Sequence, residues 1–141
     1  MNAYADTSFL FSLYVVDVHS RVARSLALRL RPVFILTALH ELELVNAMEL
    51  AVFRRYISAG EARAARHDFE RDLNRWPLKP LPADAFARSV RLAERHTART
   101  GARSLDILHV AAALAMDAEA FLTFDIRPRR LAAAEGLRVT F

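Results

Sequence analysis

Residues 2–11 read NAYADTSFLF. Ala3–Ala5 has the apolar character of a short buried strand, yet it ends on a carboxylate, Asp6, followed by two hydroxyl residues, Thr7 and Ser8, and a second apolar run. An acid at that point is costly to bury unless a cation sits against it. Thr7 or Ser8 can cap a helix running through Tyr14. A strand that delivers an acid to the start of a helix reads as the βα junction of a parallel sheet. In such sheets the functional cleft lies beyond the carboxyl ends of the strands.

Working outward, further strand-like runs fall at Val33–Leu36, Ala120–Phe124 and Arg138–Phe141, with a shorter candidate at Leu78–Leu81. Helical patterns separate them: Ser20–Leu30, a long helix capped by Thr37 and running to about Arg55, Ser58–Arg75, Asp84–Thr100, Ser104–Met116 and Pro128–Glu135. Strands alternating with helices imply an α/β fold with a central parallel sheet of four to five strands. The 141 residues are expected to form a single domain, 1–141, able to bury about two-thirds of its unfolded surface.

Composition narrows the function. The chain has no cysteine, which excludes disulfides and thiolate metal sites. The N-terminus lacks a basic secretory leader, and the apolar run Phe9–Val16 is too short to span a bilayer, so no membrane role and a cytoplasmic location are expected. The net charge is +4, and Lys79 is the only lysine among 20 basic residues. Arginine suits phosphate because its planar fork donates paired hydrogen bonds, although a base-composition bias would leave the same mark. There is no glycine-rich phosphate loop.

The acids carry the chemistry. Asp125 follows a second strand-like run, in FLTFDIRP (121–128), as Asp6 follows the first. The helix after Thr37 holds Glu41, Glu43 and Glu49. Positions 41 and 43 point to roughly opposite faces of a helix, so only one faces the cleft. Glu43 and Asn46 share a face that interrupts an otherwise apolar helix, with Leu39, Leu42, Val45 and Phe53 expected to pack inward; Glu41 is the runner-up. Asp106 sits in the first turn of a nearly all-apolar helix expected to be capped by Ser104. Its plainer role is to complement the helix dipole. Four carboxylates gathered in one cleft repel one another by about 1–4 kcal/mol per close pair, unless a proton or a hard cation intervenes. An all-oxygen donor set suits Mg²⁺ or Mn²⁺ better than Zn²⁺, and such an ion activates water and stabilises the leaving oxygen in displacement at phosphorus.

YADTSFLFSLY (4–14), TALHELELVNAM (37–48), RSLDILHVAAAL (103–114) and FLTFDIRPRRLAAAEGL (121–137) together resemble, in order and spacing, the PIN-domain ribonucleases. Within them the chain looks like the VapC-type toxins of toxin–antitoxin pairs. The resemblance spans nearly the whole chain. It implies a three-layer α/β/α domain and a Mg²⁺- or Mn²⁺-dependent endoribonuclease that leaves a 5′-phosphate and a 3′-hydroxyl. It also implies a small cognate antitoxin as partner and a homodimer. Carried over by motif, the metal-binding and catalytic acids fall on Asp6, Glu43, Asp106 and Asp125, with Thr7 or Ser8, Asn46 and Thr123 as supporting polar residues.

Other features have plainer readings beside them. Arg88, Arg91, Arg95, Arg99 and Arg103 form one helical stripe leading to Asp106, either a track for an RNA backbone or a solvated face. His40 and His109, each three residues from an acid, are expected to pack beside the acids rather than bind metal, and Trp76 to close a helical excursion. Aspartyl-phosphate enzymes fit poorly, because position 8 is Ser and no late Lys exists. A non-catalytic PIN-like RNA-binding or scaffold protein is the remaining alternative.

Overall fold

Strand β1 (Asn2–Ala5) is the centre of the molecule: Ala3, Tyr4 and Ala5 have no solvent exposure. A computed structural model describes residues 1–139. Around β1 lie β2 (Val33–Thr37), β3 (Leu78–Lys79), β4 (Ala120–Leu122) and β5 (Arg138–Val139), in the order β3-β2-β1-β4-β5 and parallel throughout. Tyr4 pairs in register with Ile35 on one side and Phe121 on the other. Thr140 and Phe141, the end of the strand expected at 138–141, lie outside the described residues.

The alternation of side chains along the strands divides the core in two. Ala3, Ala5, Phe34, Leu36, Ala120 and Leu122 face one layer of helices: α1 (Thr7–Tyr14), α2 (Ser20–Leu30), α3 (Ala38–Phe53) and α4 (Ala59–Asp72). Tyr4, Ile35 and Phe121 face the other: α5 (Ala85–Thr100), α6 (Ser104–Ala115) and α7 (Ile126–Ala134). The result is a three-layer α/β/α sandwich, as expected. Helix α6 is buried from Ile107 to Ala113, with Val110 to Ala113 fully covered.

Helix ends differ from the sequence reading where a side chain other than the expected one accepts a free backbone N–H. Asp6, not Thr7 or Ser8, caps α1, accepting the Phe9 backbone N–H at 3.1 Å. Arg103 rather than Ser104 stands at the N-cap of α6, and Asp106 reaches back to its backbone N–H at 3.1 Å. Strand β4 stops at Leu122 because Thr123 and Phe124 turn away, the Thr123 hydroxyl receiving the Asp125 N–H at 2.9 Å. Asp125 caps α7 two residues earlier than expected, so Pro128 falls in the first turn, where its missing N–H is harmless.

The rotation of α3 is also corrected. His40 Nδ1 accepts the Thr37 backbone N–H at 2.9 Å and turns the His40, Leu44, Met48, Ala51 line toward the sheet. Leu42 and Phe53, expected inside, are 68% and 83% exposed.

The chain leaves β1 toward β2 and β3, then returns across β1 to β4 and β5. The reversal lies between β1 and β4, and their carboxyl ends lead to Asp6 and Asp125. That is where a parallel sheet opens a cleft.

Candidate metal and RNA site

Asp6 is 6% exposed and fully engaged. Its Oδ1 accepts Ser8 Oγ at 2.6 Å and the Phe9 N–H, and its Oδ2 accepts Thr123 Oγ1 at 2.5 Å. Burial pushes the Asp6 carboxyl above its ordinary pKa, and these donors and the nearby His109 pull it back. Each hydrogen bond to such a charged group contributes about 1.5–3 kcal/mol.

Thr123 links Asp6 to Asp125 through the Asp125 N–H. Asp125 Oδ2 in turn accepts Arg103 Nη2 at 3.0 Å, while Arg103 Nε reaches Asp106 Oδ2 at 3.1 Å. A continuous chain of hydrogen bonds therefore runs Ser8–Asp6–Thr123–Asp125–Arg103–Asp106. Asp106 first, then Asp125 and Glu43, hold the Arg103 guanidinium above its already high pKa.

Glu43 is tied in from α3. Its Oε1 is hydrogen-bonded to His109 Nε2, and His109 Nδ1 lies 2.8 Å from the Tyr4 hydroxyl. Burial first, then the charges of Glu43 and Asp6, push the Tyr4 phenol far up, so it keeps its proton. Tyr4 then donates to His109 Nδ1 and the Nε2–H faces Glu43. Beside them, burial and His109 push His40 down to about 3. Its Nδ1 accepts, so the ring proton rests on Nε2, a buried atom near the Ala5 backbone with no hydrogen bond of good geometry among the described residues.

The four acids thus share one edge of the sheet, but they do not converge on a point. Among the described residues no three Asp, Glu or His side chains form a ready ligand set. Arg103 stands between Asp106 and Asp125, and His109 holds Glu43. The donor chemistry still fits a hard dication: all four side chains offer carboxylate oxygens, Arg103 pairs with only two of them, and among the described residues Asp6 is buried without an ion pair. Arg103 is 61% exposed.

Of the supporting residues, Ser8 and Thr123 converge on Asp6, whereas Thr7 and Asn46 do not. Thr7 Oγ1 is buried without a partner among the described residues, and Asn46 is exposed. Glu41 stays half-buried, off the network. The arginine stripe breaks up: Arg88 pairs with Asp84, Arg95 with Glu135, and only Arg103 touches the acids. Trp76 packs edge-on against Phe34, 4.9 Å between centroids. Tyr4 went unnoticed in the sequence, although its alternation with Ala3 and Ala5 places it on the opposite face of β1.

Acids and hydroxyls placed at the switch point of a parallel α/β sheet define a class of proteins that bind charged ligands beyond the strand ends. The PIN domain model matches residues 3–134, and the chain belongs to the PIN domain family. PIN domains are generally metal-dependent nucleases that typically use Mg²⁺ or Mn²⁺, and membership implies nuclease-type function and RNA binding. A search of curated proteins gave no significant match. Among the described residues no helix is long and apolar enough to cross a membrane.

Proposed function

We propose that this chain is a Mg²⁺- or Mn²⁺-dependent endoribonuclease, the toxin of a toxin–antitoxin pair, working in the cytoplasm as a single domain. Asp6, Glu43, Asp106 and Asp125 would hold the ion, which supplies an activated water and charge neutralisation at phosphorus. The observation that carries this reading is the hydrogen-bonded chain from Ser8 to Asp106 at the sheet's carboxyl edge. Ser8 and Thr123 fix both oxygens of Asp6 before any ligand arrives. Tyr4 and His109 orient Glu43. Arg91 and Arg99 pair with no carboxylate among the described residues and remain open to RNA phosphates.

Exposed apolar side chains supply surfaces for a second copy and an antitoxin: Leu42 and Phe53 on α3, and Phe86, Val90 and Leu105 on α5 and α6. The pairing of Arg103 and His109 with three of the acids favours one alternative, a PIN domain that binds RNA without turnover.

Purified protein incubated with labelled RNA and Mn²⁺ separates the two. Cleavage to 5′-phosphate products is expected, with a loss well beyond about a hundredfold in Asp6→Asn, since even residues that only support metal ligands cost 10–100-fold. Binding without cleavage selects the alternative. Growth arrest on expression, relieved by a small protein encoded alongside, tests the toxin role.

A further inference from the structure

Next to the acids, a cleft of about 690 Å³ opens between α1, the start of α2, the end of α3 and the β4–α7 turn. Two residues of the acid network, Ser8 and Asp125, form part of its wall. We propose that this cleft is a subsite for one unpaired RNA base lying beside the scissile phosphate and stacking on His19. The proposal rests on the nuclease reading above.

Three near-parallel rings run from the core outward into the cleft. Phe9 is fully buried and stacks on half-buried Phe124 at 5.4 Å and 17°, and Phe124 stacks on exposed His19 at 4.4 Å and 9°. The ladder ends in an aromatic ring at the surface, where a further flat ring extends it. Every base presents a π-face, so this recognition tolerates any base identity.

Across the cleft, Arg54 and the 77%-exposed Tyr56 supply a cation and a second aromatic face. That combination suits a nucleotide better than an apolar peptide side chain. Asp17, also in the wall, accepts the Ser12 and Ser20 hydroxyls and the His19 N–H. The imidazole of His19 caps nothing: it stands at the N-cap of α2 without a side-chain hydrogen bond, so truncating it removes the platform and leaves the helix intact.

The test is fluorescence anisotropy with the full chain in EDTA, comparing a single-stranded RNA with the same ribose-phosphate backbone made abasic at every position. In wild type, removing the bases is expected to weaken binding about tenfold. His19→Ala should erase that dependence and His19→Phe should keep it, with circular dichroism confirming that both fold. RNA binding that is equally tight without the bases, or a base dependence that survives His19→Ala, overturns the subsite and leaves the cleft to a protein segment, while the nuclease reading stands. Absence of any RNA binding by wild type also overturns the subsite, and the Mn²⁺ cleavage assay decides the nuclease reading separately.

Discussion

Asp6 and Asp106 belong to one hydrogen-bonded network, but they are held by different physics. Asp6 is buried, and its oxygens are fixed by two hydroxyls and a backbone N–H, all neutral. Around it Tyr4 and His40 are kept uncharged by burial. Asp106 and Asp125 lie nearer the solvent and are balanced by a single exposed guanidinium. Neutral donors orient a carboxylate without consuming its charge. A guanidinium neutralises that charge and competes with any other cation. Under the proposed metal dependence, the buried half is preset for the ion, and the exposed half would have to exchange one cation for another.

This contrast is open to direct attack. The largest effect is expected from the buried half in acid. The unfolded chain protonates His40 near the ordinary value of about 6.5, whereas the folded protein resists until about 3. The unfolded state therefore binds more protons across that window, and stability falls as pH falls through it. The contribution lost is on the order of 3 kcal/mol by about pH 4. Urea midpoints measured from neutral to acid pH should show this decline, and His40→Gln should flatten it. An unchanged slope in the variant would mean that His40 titrates normally.

Thr123→Val comes next. It keeps the shape, strips Asp6 Oδ2 of its donor and leaves the Asp125 N–H unpaired. A loss of about 2–3 kcal/mol in urea unfolding is expected. A loss below about 0.5 kcal/mol would show that the hydroxyl is not needed to settle the buried acid.

Arg103→Gln should cost the least, under about 1 kcal/mol of stability, because its pairs are solvent-screened. Under the proposed metal dependence, Mn²⁺ binding measured by calorimetry should tighten about five- to tenfold, since a competing cation is gone. Weaker binding would recast Arg103 as a residue that positions the acids.

Much of the architecture was legible along the chain. The runs at 3–5, 33–36 and 120–124 became neighbouring parallel strands, the last stopping at Leu122, and the helices between them formed nearly where periodicity placed them. Local patterns suffice for this because strand and helix formation depends on residues a few positions apart. The misses share a cause. Leu42 and Phe53 read as core because an apolar helix carries no mark of which side faces the sheet; the tether from Thr37 to His40 decides it. Spacing alone also left the arginine stripe open between an RNA track and a solvated face, and could not show that Arg95 finds Glu135, forty residues further on.

The amino-acid order by itself determined the α/β class, the acid at the end of β1, and the absence of thiol chemistry. Only the tertiary structure decided what each acid faces: Asp6 meets Thr123 across 117 residues and Glu43 meets His109 across 66. The physical reason is that burial and charge pairing are properties of a place in space. Chain neighbours specify the strand that carries a carboxylate there, and distant segments specify whether it meets a hydroxyl, an imidazole or a guanidinium.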